Sequence, residues 1–214
     1  MLQKITALRQ QKKNRRRLAV HLNGRYAFGV HASVAASLKV GQTLSPEEIE
    51  QLQRRDAEEM AYDRALNFLQ YRPRSHAEMK NYLQRHKASL TTIQAVIDRL
   101  VQAGLLDDDS FAQYWVENRE LFRPRGPRSL RFELRRKGVP DPVIDEAIED
   151  IDESESAYRA AREQARRMSH LPYQVFCRRL GGFLQRRGFG YDVVRETVDR
   201  LWHESQAPAQ EELS

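Results

Sequence analysis

ELRRKGV at residues 133–139 and FLQRRGF at residues 183–189 share a leucine, a run of basic residues and a glycine, fifty positions apart. The correspondence widens along the chain. Leu83, Leu134 and Leu184 align at offsets of 51 and 50, as do Met79, Leu130 and Leu180, and Arg85, Arg136 and Arg186. Further on, Ile93, Ile144 and Val194 fall in line, then Ile97, Ile148 and Val198, then Leu100, Ile151 and Leu201. Spacing by three and four puts the apolar members on one helical face, the mark of a core that has been copied. Tyr71-Arg72-Pro73-Arg74 matches Phe122-Arg123-Pro124-Arg125 at the same offset of 51. Proline fits poorly inside a helix, so each match marks the break between a first and a second helix. Gly138 and Gly188 stand where a left-handed cap would end the second helix; the first unit has Lys87 there. Each unit therefore reads helix, loop, helix, turn, helix. The expected three-helix units are residues 56–107, 108–153 and 154–204, with a disordered tail at 205–214.

Ahead of the repeats the pattern changes. RLAVHL and RYAFGV, joined by Asn23-Gly24, predict a β-hairpin, because Asn-Gly suits both positive-φ positions of a type I′ turn. Residues 2–9 are a candidate third strand. The Ala-rich stretch VHASVAASLKVG predicts a helix ending near Gly41, and Ser45-Pro46-Glu47-Glu48 carries the cap, the proline and the acids that start another. A small hairpin-plus-helix domain is expected over residues 1–55. The fold class is mainly α.

The 214 residues carry a net charge of +6, with 31% charged and 8% aromatic side chains, a composition that suits several small helical cores. Residues 1–55 hold eleven Lys and Arg against three Glu, so the basic excess is N-terminal. An anionic partner is expected on this ground. Cys177 stands alone, which excludes an intrachain disulfide and a cysteine metal cage. No apolar run is long enough to span a bilayer, so no membrane partner is expected and the default location is cytoplasmic.

Chemistry is hard to find. Asp107, Asp108 and Asp109 lack the later ligands of a calcium loop and read better as the cap and first turn of a helix. The six histidines form no close ligand pair, and neither GxxxxGK[ST] nor GxGxxG occurs. We expect no catalytic residue, no metal and no cofactor.

Basic segments carry the stronger signal. RPRGPRSLRFELRRK, residues 123–137, contains seven basic residues against one acid, with Arg128, Arg131 and Arg135 spaced for one helical face. Arg178, Arg179, Arg186 and Arg187 form a matching segment, and Arg72, Arg74, Lys80 and Arg85 a weaker one. A single such face is ordinarily just solvated; three copies side by side would make a stripe for a polyanion or an acidic groove. Tyr71, Tyr82, Phe122 and Phe132 are placed to stack on bases, with core packing the expected duty for most of them. Helix-turn-helix docking is disfavoured in the second unit, whose third helix, DPVIDEAIEDIDE, carries seven carboxylates that phosphate would repel.

These residues carry a resemblance. GLLDDDSFA at 104–112, the second repeat from Gly126 to Gly138, and RRGFGYDVV at 186–194 resemble the RecX family of bacterial regulators of the RecA recombinase, over about residues 61–202. The basic hairpin region is similar to an N-terminal extension found in some members. The resemblance implies tandem three-helix repeats in an elongated, curved array, and a monomeric binding protein that is not an enzyme. It implies association with the RecA–single-stranded DNA filament, with double-stranded DNA a further candidate, and restraint of strand exchange, ATP hydrolysis and stimulated repressor cleavage. It places the protein in DNA repair, homologous recombination and the SOS response. The residues expected to face RecA or DNA are Arg72, Arg74, Arg85, Arg123, Arg125, Arg128, Arg131, Arg135, Arg136, Lys137, Arg178, Arg179, Arg186 and Arg187. A DNA-binding protein acting without RecA is the alternative reading, and an enzyme with an unrecognised site is the third.

Overall fold

A computed structural model describes residues 1–12 and 14–206. The described residues divide into two compact units, one of residues 1–12, 14–74 and 78–106, the other of residues 75–77 and 107–206. The first unit opens with strands β1 (Gln3–Gln10), β2 (Arg17–Leu22) and β3 (Arg25–His31), followed by α1 (Ala32–Ala35) and β4 (Thr43–Leu44). They form an antiparallel sheet in the order β3-β2-β1-β4. Asn23 and Gly24 both take positive φ, 49° and 85°, as a type I′ hairpin demands.

The Ala-rich stretch departs from expectation. Only the single turn α1 is helical, after which the chain bends so that Leu38 joins the sheet's core and Gly41, at φ 96°, delivers β4 to the free edge of β1. Non-local pairing there overrides the local preference of alanine for helix. The core itself is built from Ile5, Val20, Leu22 and Val30 on one face of the sheet, closed by Val34, Leu38, Leu44 and Leu52.

Helix α2 (Pro46–Leu69) starts at a full capping box, in which the Ser45 hydroxyl accepts from the Glu48 N–H and the Glu48 carboxylate accepts from the Ser45 N–H. The domain boundary expected at 55/56 falls inside this unbroken 24-residue helix, which serves two cores: Leu52 closes the sheet, while Ala61 and Ala65 pack on the first helical repeat. That repeat is completed by α3 (His76–Arg85) and α4 (Leu90–Gln102).

The second unit holds α5 (Asp108–Phe122), α6 (Pro127–Arg136), α7 (Asp141–Glu149), α8 (Glu153–Arg167), α9 (Tyr173–Arg186) and α10 (Tyr191–Gln206). The tail expected from 205 lies outside the described residues from 207 onward, and Ser205 and Gln206 end α10. Each repeat has its own apolar core, and the aligned leucines and methionine are its centre: Met79, Leu83, Leu130, Leu134, Leu180 and Leu184 are all fully buried. Asp107 caps α5 through the Ser110 N–H, at 2.9 Å, which is the role read for that acidic run.

Within the second unit a close junction joins consecutive three-helix repeats. The N–H of Gly126, at the start of α6, donates to the Arg187 carbonyl at 3.0 Å, and a Cβ on Gly126 would lie 2.3 Å from the Gly188 carbonyl oxygen. Residues 75–77 meet the turn after α6 in the same register: the Ser75 hydroxyl donates to the Lys137 carbonyl at 2.6 Å, and a Cβ on Gly138 would come 2.3 Å from Ala77 Cβ. Gly138 and Gly188 take positive φ and are closely approached, so both reasons call for glycine. Lys87, the first-unit counterpart, shares the conformation at φ 61°.

Candidate cationic interface

The loop between α5 and α6 is four residues long, Arg123 to Gly126, and its shape is set by Pro124 and by Pro127 at the first turn of α6. It brings three guanidinium groups together. Arg187 lies over the Phe183 ring at 4.5 Å and donates through Nη1 to the Pro124 carbonyl at 3.1 Å, which carries it from the turn after α9 to the loop. Burial pushes its pKa below the ordinary arginine value, and the charges of Arg125 and Arg123 push the same way. Arg125 Nε is buried and has no hydrogen-bond partner among the described residues. The carboxylate beside it, Glu133, turns Oε1 toward Arg125 Nε at 3.8 Å, while its Oε2 accepts from Trp115 Nε1 at 2.8 Å and Arg119 Nε at 2.7 Å. Three cations, one of them with a buried unpartnered donor, beside a single carboxylate that is ion-paired but not hydrogen-bonded to Arg125 make a place where an anion would be welcome. Phe122 and Leu121, at the end of α5 next to these arginines, are 74% and 75% exposed.

The remaining candidates fall into two groups. Arg131 pairs with Asp145 and Arg135 with Asp141, the latter at 2.6 Å, so the acidic α7 neutralises part of the basic face of α6. The hydrogen bond from Arg135 holds the Asp141 carboxyl below its ordinary range. Arg128, Arg178, Arg179 and Arg186 are exposed and have no carboxylate within ion-pair distance among the described residues. Arg136 lies over Phe132, 5.7 Å from the ring centre, and Lys137 Nζ stands 4.8 Å from the Trp115 ring.

In the first unit the equivalent loop is engaged differently. Arg72 makes a two-pronged pair with Glu78, both contacts at 2.9 Å, Arg74 stacks on Phe68 at 3.8 Å, and Arg85 Nε donates to the Asn81 carbonyl. Glu78 corresponds to Ser129 at the offset of 51, so Arg123 lacks the partner that Arg72 has. That exchange was visible in the sequence and separates the two otherwise matched loops. The aromatics also differ from expectation. Tyr82 stacks on Phe68, but Tyr71 is 84% exposed and Phe132 62% exposed, so with Phe122 three of the four lie at the surface.

Among the described residues no group of three or more His, Cys, Asp and Glu converges to hold a metal ion, and no helix is long and apolar enough to cross a membrane. Models of the RecX N-terminal domain and of the first, second and third RecX three-helix domains match residues 3–45, 61–100, 107–148 and 151–198. The regulatory protein RecX of Bacillus subtilis is 32% identical over 97% of this chain and 81% of its own length. The chain belongs to the RecX family. A Mycobacterium regulatory protein RecX is 38% identical over 66% of this chain and 81% of its own. The crystal structure of a regulatory protein RecX, 26% identical, matches with a TM-score of 0.74 over 92% of this chain and 99% of that one. RecX from Lactobacillus salivarius, at 25% identity, matches with 0.62 over 68% and 97%. The RecX models assign a family domain both to the sheet and to each helical repeat, so family membership covers the arginine loop and the basic N-terminal strands alike.

Proposed function

We propose that this RecX-family chain is a non-enzymatic inhibitor of RecA. It binds the RecA–single-stranded DNA filament and limits strand exchange, ATP hydrolysis and the stimulation of repressor cleavage, acting in the cytoplasm as a monomer without a cofactor. The observation that carries this reading is the guanidinium cluster of Arg123, Arg125 and Arg187 with its buried unpartnered donor. Such a cluster offers an acidic protein groove or a phosphate backbone the charge-assisted contacts it otherwise lacks. Arg128, Arg136, Arg178, Arg179 and Arg186 extend the cationic surface, and the paired Arg72, Arg131 and Arg135 contribute less.

The test is RecA ATPase on single-stranded DNA titrated with the wild type and with Arg123→Glu/Arg125→Glu/Arg128→Glu. Removing a charge-assisted hydrogen bond costs about 1.5–3 kcal/mol, so each reversal should raise the concentration for half-inhibition about ten-fold or more. Unchanged half-inhibition by a folded triple variant removes the proposal. Binding to naked DNA as tight as to the filament, and equally salt-sensitive, would replace it with the reading of a DNA-binding protein that acts alone.

A further inference from the structure

The sheet leaves part of one edge unpaired. Strand β1 pairs with β2 from Ile5 to Gln10, but on its other side β4 pairs only with Gln3 and Lys4. The Ile5 N–H donates to the Gln42 carbonyl at 2.8 Å and the Ile5 carbonyl accepts from the Gly41 N–H at 2.9 Å, and with those two bonds that side ends. The register fixes which groups are left over. The Gln11 N–H donates to the Arg17 carbonyl at 3.0 Å, so Ala7, Arg9 and Gln11 turn their backbone groups to β2, and Leu8 and Gln10 turn theirs outward. Those outward N–H and C=O groups have no hydrogen-bond partner among the described residues. An open edge of this kind accepts a further strand.

The side chains along the edge select what that strand must be. Leu8 packs against the apolar core, while alternation puts Arg9, which is exposed, on the opposite face. Residues opposed across a ladder share a face, so an incoming strand meets Leu8 with one side chain and Arg9 with the next. Basic groups also stand at both ends. Gln10 Nε2 donates to the Arg15 carbonyl at 2.9 Å, which brings Arg15 to the far end, and Lys39 lies two residues before Gly41 at the near end. Arg9, Arg15 and Lys39 have no carboxylate within ion-pair distance among the described residues, and no Asp or Glu occurs before Glu47. Val40, between Lys39 and Gly41, is 63% exposed and offers a further apolar contact.

We propose that the outer edge of β1, over Ala7 to Gln10, binds an extended peptide in which apolar and acidic residues alternate. The backbone of that peptide bonds to Leu8 and Gln10, its apolar side chains lie beside Leu8, and its carboxylates are drawn to Arg9 and to the flanking Arg15 and Lys39. A second copy of β1 would bring two basic edges together, which like charge opposes. A nucleic-acid strand has no alternating N–H and C=O groups to match the edge. Arg123, Arg125 and Arg187 take no part, so the edge is tested apart from the RecA reading.

The probe is fluorescein-labelled Glu-Val-Glu-Val-Glu-Val-Glu, its anisotropy followed with the full chain across a salt series. Methylating the backbone nitrogens of its valines removes the donors that face Leu8 and Gln10 with the charge unchanged, and should weaken binding about ten-fold or more. Gln10→Pro should weaken it about ten-fold, because it deletes an outward N–H and spares the bonds to β2. Arg9→Gln should weaken binding about two- to five-fold at low salt and less at high salt. These effects should persist in an Arg123→Gln/Arg125→Gln background. If the methylated and unmethylated peptides bind the parent chain alike, the attraction is charge alone and the proposal falls. It falls as well if Gln10→Pro, shown by thermal melting to be folded, keeps the parent's affinity. Self-association of the parent in sedimentation that Gln10→Pro abolishes would give the edge to a second copy and overturn it too.

Discussion

Replacing Gly126 by alanine would push a methyl group into the backbone of the adjoining repeat. The new Cβ would stand 2.3 Å from the Gly188 oxygen and 2.4 Å from the Phe189 nitrogen, where ordinary contact begins at 3.4 Å. Neither atom belongs to a flexible side chain, so the two repeats must move apart by about 1 Å. Overpacking of this kind costs about 1–3 kcal/mol, and stretching the hydrogen bond from the Gly126 N–H to the Arg187 carbonyl adds about 0.5–1.5 kcal/mol. Backbone conformation adds nothing, since Gly126 has φ −70°. The expected loss is therefore about 2–4 kcal/mol, a large share of the 5–15 kcal/mol that holds a typical domain.

Two further variants separate steric crowding from conformation. Gly104 has φ 65° with nothing near its missing Cβ, so Gly104→Ala should cost only the left-handed penalty, about 1–2 kcal/mol. Gly188 combines that conformation with a Cβ position 2.4 Å from Ser129 Oγ and 2.5 Å from its backbone nitrogen, so Gly188→Ala should cost about 3–5 kcal/mol. Urea unfolding of the full chain measures the series. The order Gly188→Ala, Gly126→Ala, Gly104→Ala is required, and loss of two-state behaviour in the first two would report uncoupled repeats. A Gly126→Ala variant within about 0.5 kcal/mol of the parent would refute the reasoning.

Asp56 bonds the Arg17 guanidinium at 2.8 Å and the His31 N–H at 2.6 Å, so Asp56→Ala strands a largely buried cation and should cost about 3–5 kcal/mol in thermal or urea unfolding. Asp107→Ala should lose about 1 kcal/mol of cap energy, and Asp107→Asn should keep most of it. Hydrogen bonds from the Ser110 side chain and N–H hold the Asp107 carboxyl below its ordinary range. Its contribution is thus complete above the unfolded value near 4 and fades as pH falls through the lower folded value; an acid titration of stability should be flatter there in Asp107→Asn. Sulfate at about ten times its dissociation constant should stabilise the parent by about 1.4 kcal/mol, or about 3–6 °C in melting, beyond chloride at equal ionic strength. Arg123→Gln/Arg125→Gln should abolish that difference if the cluster is an anion site.

The copied core was legible because burial at a spacing of three and four leaves apolar residues in register whatever else changes; Leu83, Leu134 and Leu184 needed no tertiary information. The hairpin and the start of α2 were equally local, written in Asn23-Gly24 and Ser45-Pro46. Residues 36–44 were not, because what they do depends on the edge of β1, more than thirty positions away. The fate of each arginine was likewise hidden. Composition counts Arg131 and Arg128 alike, yet Arg131 finds a carboxylate one helix on and Arg128 does not. Only the pairing of Arg72 with Glu78, six residues apart, and its absence where Ser129 stands, lay within reach of the sequence.

The same offsets explain why the junction stops where it does. Each junction sets a small residue at the start of a second helix, Ser75 or Gly126, against the glycine turn of the unit that follows. In the third repeat the equivalent position is Phe176, fully buried in its own core. Helices α3 and α6 begin in one register and are 10 residues long, while α9 begins four residues earlier and has 14, so an extra helical turn covers the place where another glycine turn would sit. A fourth unit cannot stack by this rule. Repeat arrays need ends that differ from their middles, because an unaltered end exposes a surface made for a neighbour. Exchanging residues 172–176 for the loop sequence of the second repeat should uncover that surface, and concentration-dependent association measured by sedimentation would follow. A chain so altered that stays monomeric at high concentration would show that the small residue and the glycine turn are not sufficient to make a junction.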